Sequence, residues 1–272
     1  MSQELDPIVA TYSRLARQYD EDSNGQSCWA RATNEALASI RVSATRKVVL
    51  DVGCGTGHAL VHLADGVRSE VQLVGIDPAD NMREIARNRA RGCANIRILN
   101  GRFERIPLES RSVDYLYSLF AFHWTTDLDM AVSELARVLT PDAEMDLFFI
   151  GRHNGREFIQ ATSPIFLRHM GPALLLQSAQ LRKQLTREAA EALFAKHFGR
   201  SRIVVDESYQ TYHDTLEGHW TWWVRIEGHF LQIPSDRRDA CNEEVRRALT
   251  GLASAQGIPY TIHQLHVALR RA

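Results

Sequence analysis

The amino-acid sequence predicts an α/β fold, a doubly wound, seven-stranded, mostly parallel sheet with a helical cap. Three observations predict it. From Val48 to Ile150, short apolar runs alternate with amphipathic stretches, the pattern of strands joined by crossover helices. The first of those runs opens into a tight cluster of glycines. Beyond Ile150 the rhythm changes to helix, strand, helix and strand, which adds an insertion and two further strands.

The elements follow in order. Pro7–Asp20 carries Ile8, Tyr12, Leu15, Ala16 and Tyr19 at helical spacing, with Arg14, Arg17 and Gln18 off that face. A second helix spans about Ser27 to Ile40. Val48–Leu50 is the first strand, ended by Asp51, and a helix starts near His58. VQLVGI is the second strand, stopping at Asp77, and the next helix turns Met82, Ile85 and Ala86 inward and Arg83, Arg87 and Arg91 outward. Ile96–Leu99, Ser112–Ser118 and Met145–Ile150 are strands three to five, with a helix at Leu128–Leu139 before the last. Gly151–Leu185 is helical and apolar, broken by Pro164 and by Gly171–Pro172. A helix at Arg187–His197, capped by Thr186 and stopped by Gly199, precedes a strand at Ile203–Asp206. The aromatic-rich stretch 209–230 is assigned as helical, an amphipathic helix covers Asp236 to about Ser254, and YTIHQLHVALRR closes the sheet.

Composition excludes several classes. With 272 residues the chain buries a full core, and its net charge of −1 with dispersed basic residues offers no stripe for nucleic acid. The four cysteines (Cys28, Cys54, Cys93, Cys241) are far apart, as expected of free thiols in a reducing compartment. The histidines of the stretch 209–230 have no cysteine or second ligand pair nearby to complete a zinc site, so no metal is expected. The first residues lack a basic segment followed by an apolar one, and no apolar run approaches the roughly 20 residues that span a bilayer. A cytoplasmic protein without a membrane partner is expected; the oligomeric state is left open.

The stretch VVLDVGCGTGHAL holds the chemistry. Gly53, Gly55 and Gly57 let the backbone turn sharply and approach a ligand closely, and the helix after them points free N–H groups at whatever sits above. The dinucleotide fingerprint G-x-G-x-x-G fails, because its third small residue falls on His58. A G-x-G-x-G run behind Asp51, with a second acid at Asp77, instead resembles motif I of the class I S-adenosylmethionine (AdoMet)-dependent methyltransferases. Asp77 lies about 20 residues past the loop, where an acid accepts hydrogen bonds from both ribose hydroxyls; a plain helix cap is the competing role.

That resemblance implies a Rossmann-like methyltransferase fold and a set of site residues. Residues 1–150 become the AdoMet-binding core with N-terminal lid helices, 151–185 a cap insertion over the acceptor, and 186–272 the C-terminal part of the sheet. Ala16–Asp20 matches the family's A-x-x-Y-D segment, which closes over the cofactor and brings Tyr12 and Tyr19 to its methionine end; otherwise the helix merely covers an edge. Asp51, Gly53, Cys54, Gly55, Gly57, Asp77, Met82, Phe103, Ser118 and Tyr19 are the cofactor-binding set, with Met82 either packing on adenine or simply core. The family's Gly-Asp-x-Glu pattern, whose Asp takes the adenine amino group, is Gly101-Arg102-Phe103-Glu104 here, and Arg102 cannot accept a hydrogen bond. Ser118 to Trp124, beyond the fourth strand, resembles the corresponding stretch of malonyl-carrier-protein and trans-aconitate methyltransferases, which often carry His-Trp.

The expected reaction is in-line (SN2) transfer of the AdoMet methyl group to a small-molecule or carrier-tethered acceptor. The sulfonium is already electrophilic, so positioning, worth up to roughly 7–11 kcal/mol in favourable intramolecular models, carries most of the work. His123 is the candidate base, with a pocket wall as its alternative role, and His153 is a weaker candidate. Tyr12, His123, Trp124, Trp220 and Trp223 form the candidate acceptor wall, although core packing is the default for the last two. The alternative reading is an AdoMet-binding protein of the same fold that catalyses a cyclisation or decarboxylation.

Overall fold

The sheet is ordered β3-β2-β1-β4-β5-β7-β6. In this computed structural model residues 6–23, 27–199, 202–225, 228 and 231–270 are described. The sequence readings that fall on 1–5, His229, Phe230 and the last two residues lie outside them. The chain starts with α1 (Pro7–Ser23) and α2 (Cys28–Ser39) and enters the sheet at β1 (Val48–Val52). It continues through α3 (His58–Ala64), β2 (Gln72–Asp77), α4 (Asp80–Arg89), β3 (Ile96–Asn100) and β4 (Val113–Leu119). A 3₁₀ turn at Phe122–Trp124 precedes α5 (Leu128–Val138) and β5 (Leu139–Ile150). Then come α6 (Arg156–Gln180), α7 (Arg187–Phe198), β6 (Ile203–Asp214), α8 (Leu216–Arg225), α9 (Arg238–Gly251) and β7 (Ile258–Leu269).

β1 lies between β2 and β4, both parallel to it, and β7 runs antiparallel between β5 and β6. Alternate residues of the central strands serve opposite faces. Leu50, Val52, Val74, Ile76 and Leu116 pack with Val132 and Leu135 of α5 and Phe194 of α7. On the other face Val49, Leu73, Tyr115 and Tyr117 pack with Ala36 and Leu37 of α2 and Leu60 of α3. A third apolar cluster joins Phe158 and Phe166 of α6, Trp223 of α8 and Val245 of α9 to Tyr260 and Ile262 of β7.

Several boundaries differ from the sequence reading, each for a physical reason. Asp51 does not end β1, because it stays in register opposite Gly75 and Tyr117. β5 starts at Leu139, and the ladder jumps from Val113–Leu139 to Tyr115–Glu144. The residues between bulge out, as expected around Pro141, which lacks an N–H for the ladder. Pro164 sits inside α6, and only Gly171 (φ 76°, ψ 167°) bends that helix. The stretch expected as helical from Tyr209 is strand as far as Asp214, because β6 pairs with β7 over its whole length. Arg83 is buried rather than outward, with its guanidinium donating to the Asp77 carbonyl at 2.8 Å and pairing with Asp80.

Candidate active site

The glycine loop is fastened to the tip of β2. The Gly53 and Cys54 amides donate to the Ile76 carbonyl at 2.8 and 3.0 Å, and the Gly55 amide donates to Asp77 Oδ2 at 3.0 Å. Asp77 Oδ1 accepts the Ala79 amide at 2.8 Å, so the acid caps the segment ahead of α4 and braces the loop together. Gly53 takes φ 78°, and a Cβ there would stand 2.3 Å from the Ala121 Cβ, so the close approach of the two loops requires glycine.

Two cavities meet over this loop. The first is bounded by Asp77, Ala79, Met82, Phe103 and Asp6. The second is bounded by Asp51, Cys54, Trp29, His123, Arg182 and Trp222. Tyr12, Tyr19, Gly53, Gly55, Phe120 and Trp124 border both. Tyr12 stands edge-on to Tyr19 and to Trp124, with ring centroids 5.9 and 5.8 Å apart, so α1 roofs the junction. The Asn81 amide donates to Ser13 Oγ at 3.2 Å, and Arg89 reaches Asp20 at 2.6 Å, holding α1 against α4.

Electrostatics distinguish the two acids. Burial raises the Asp51 carboxyl to a pKa of about 8; the Tyr117 hydroxyl beside it lowers it and the charge of Asp77 raises it further. Burial also raises Asp77, to about 6, against the pull of the Ala79 and Gly55 amides and Arg83. Burial therefore favours the protonated form of Asp51 at neutral pH. The His123 ring is buried with Nδ1 unpartnered, and burial followed by the charge of Arg182 pushes its pKa well below the ordinary value. The His123 carbonyl accepts the Lys183 amide at 2.7 Å, which places the neighbouring Arg182 guanidinium 4.8 Å above the Trp124 ring.

The structure brings together most of the sequence-predicted set and removes some of it. Asp51, Gly53, Cys54, Gly55, Asp77, Met82, Phe103, Tyr12, Tyr19, His123 and Trp124 border one cavity or both. Gly57 lies behind them at the start of α3, packed against Ala86. Ser118 is fully buried and donates from Oγ to the Val52 carbonyl at 2.6 Å, so it ties β4 to β1 and does not face the site. Trp223 stacks at 5.5 Å on Phe166 inside the third cluster, and Trp220 packs beside that cluster under Arg246. The helix face with two tryptophans serves the core, and Trp222 reaches the cavity instead. His153 is exposed and stacks on His263, away from the cavities.

Sequence reasoning missed Trp29, Thr33 and Asn34 of α2, together with Arg182 and Trp222. Trp29 and Thr33 share a helix face at i, i+4, a readable signal. Arg182 carries none, because its position depends on how the chain leaves α6. Among the described residues no cluster of three or more metal-binding side chains occurs, and no helix is long and apolar enough to cross a membrane.

The strand order, with β7 alone reversed, and a glycine loop locked to an acid at the tip of β2 define a Rossmann-like, doubly wound α/β class. Within it, the chain belongs to the S-adenosylmethionine-dependent methyltransferase family. The family model described as a methyltransferase domain matches residues 49–142. The malonyl-[acyl-carrier protein] O-methyltransferase of Yersinia pestis is 33% identical over 193 residues, 70% of this chain and 68% of that enzyme. The ubiquinone/menaquinone biosynthesis C-methyltransferase UbiE of Campylobacter jejuni is 23% identical over 181 residues, 63% of this chain and 75% of that enzyme. The [4+2]-cyclase SpnF shares the fold at a TM-score of 0.59 and 14% identity, over 97% of this chain and 96% of that one.

Proposed function

We propose that this methyltransferase binds AdoMet with its nucleoside in the first cavity and its methionine end reaching Asp51 in the second, and methylates a small-molecule or carrier-tethered acceptor seated in the rest of the second. The observation that carries the reading is the junction of the two cavities over Gly53 and Gly55 under one aromatic roof. The residues suit the cofactor: Asp77 keeps unused lone pairs for ribose hydroxyls, Met82 and Phe103 offer apolar faces to a purine, and Asp51 favours the ammonium of the methionine end.

When bound, AdoMet supplies an electrophilic methyl group. The chain's own task is to align and to dry the site. Tyr12, Tyr19 and Trp124 close the junction to water, and Gly53 lets the backbone approach without a side chain. Neutral His123 acts as a wall and hydrogen-bonding group; its low proton affinity makes it a poor base. Arg182 brings positive charge to the same wall, which suits an acceptor oxygen that arrives ionised. The relative named as a malonyl-[acyl-carrier protein] O-methyltransferase supports that acceptor class.

Methyl-labelled AdoMet incubated with malonyl-carrier protein and a panel of small carboxylic acids tests the reading. Label in a product, with one equivalent of S-adenosylhomocysteine, is expected. Consumption of a substrate without release of S-adenosylhomocysteine contradicts it and favours the cyclisation or decarboxylation alternative, for which the likeness to SpnF supports only the fold.

A further inference from the structure

The rim of the first cavity beside Phe103 carries three charged side chains, Asp6, Arg102 and Glu104. They are not equally available to a ligand. Glu104 is largely committed to the chain itself: Oε1 accepts from the Thr126 amide at 2.6 Å, the Thr126 hydroxyl at 2.7 Å and the Asp127 amide at 3.2 Å, which fills that oxygen. Its Oε2 takes Arg102 Nε at 2.8 Å and keeps a single site. Arg102 has donors only. Asp6 differs from both. Its Oδ1 accepts the Ile8 amide at 3.0 Å and its Oδ2 accepts Arg102 Nη2 at 3.2 Å, which among the described residues leaves one lone-pair site on each oxygen.

Resting on the cofactor reading above, we infer that Asp6 reads the exocyclic amino group of the adenine and that Arg102 is the positioning residue that holds it there. The acid absent at position 102 is supplied from the start of α1, steered by the arginine that stands in its place. Glu104 grips the other side of the same guanidinium, so the three groups form a relay from the Thr126–Asp127 turn to the first residue of the lid. Base recognition then depends on α1 being closed, a condition that an acid on the loop after β3 does not impose.

The test compares two ligands that differ at the base. S-adenosylhomocysteine carries the amino donor, whereas S-inosylhomocysteine presents a carbonyl oxygen to the carboxylate. By calorimetry the wild-type enzyme is expected to prefer the adenosyl ligand by on the order of tenfold to a hundredfold, the worth of a hydrogen bond to a charged group. Asp6→Ala is expected to bring that ratio close to one, and adding Arg102→Asp in the same chain to restore it. Restoration by Arg102→Asp separates a lost base contact from a loosened α1, which an acid on the loop would not repair, and an unchanged ratio in Asp6→Ala overturns the inference while the cofactor reading stands. A wild-type enzyme without base preference overturns it as well. Failure of the wild type to bind S-adenosylhomocysteine at all overturns both.

Discussion

The Asp77 carboxylate accepts the amide of Gly55 at 3.0 Å, joining the tip of β2 to the middle of the glycine loop. One acid therefore shapes the loop and also faces the cavity above it. Asp77→Ala removes both services, and S-adenosylhomocysteine affinity is expected to fall on the order of 10²-fold or more by calorimetry. Asp77→Asn, which keeps one carbonyl acceptor, should fall between. Unaltered binding in Asp77→Ala contradicts the assignment.

A second expectation concerns pH. The folded chain holds the Asp51 proton up to about pH 8, whereas the unfolded chain releases it near the ordinary 3.8. Asp51 thus favours the folded state at low pH, and that contribution is lost as pH rises from about 4 to about 8. A cation beside the carboxylate reverses the shift, so binding releases a proton and affinity rises by up to about tenfold per pH unit below pH 8. Asp77, at about 6, adds to this slope at the acidic end. Calorimetry of S-adenosylhomocysteine from pH 6 to 8 should show it, and Asp51→Asn should flatten it while raising the melting temperature of the ligand-free protein at pH 8. A flat wild-type profile would count against Asp51 as the partner of the ammonium.

His123 offers a sharper choice. A residue whose proton affinity is this low contributes little as a base, so His123→Ala should reduce kcat by about tenfold or less and leave the shape of the pH–rate profile unchanged. A loss of roughly 10²-fold or more, with disappearance of one limb of the profile, restores the base.

The tryptophans of α8 separate pocket from core. Trp222→Ala should raise the KM for acceptor with little effect on AdoMet binding, because Trp222 borders only the second cavity. Trp223→Ala, at 1% exposure in the third cluster, should cost about 3–5 kcal/mol of stability by denaturant titration. Trp220→Ala should leave acceptor KM unchanged; a shift there returns that residue to the pocket.

How much of this was legible before the fold was known depends on what each residue reports. β1 and its glycines were readable because the backbone itself requires them there, as Gly53 shows. The place of Asp77 at the tip of β2, beside the loop, was readable by its distance from the glycines. Trp220 and Trp223 were misplaced because spacing reveals a shared face and says nothing of what that face meets. Ser118 was misplaced by position alone: strand alternation turns it onto the Val52 carbonyl, and the site starts one residue later at Leu119. Arg182 and Asp6 were invisible because their roles depend on contacts that cross the chain, to Trp124 and to Arg102.

The central claim is that the cofactor lies with its nucleoside in the first cavity and its methionine end crossing Gly53 and Gly55 toward Asp51, with the acceptor in the rest of the second. A crystal structure of the enzyme soaked with S-adenosylhomocysteine tests it most directly. The account predicts adenine between Met82 and Phe103, ribose hydroxyls on Asp77, and the sulfur opening toward His123 and Trp124. Ligand density in the reverse orientation, or an empty first cavity at saturating ligand, would contradict it.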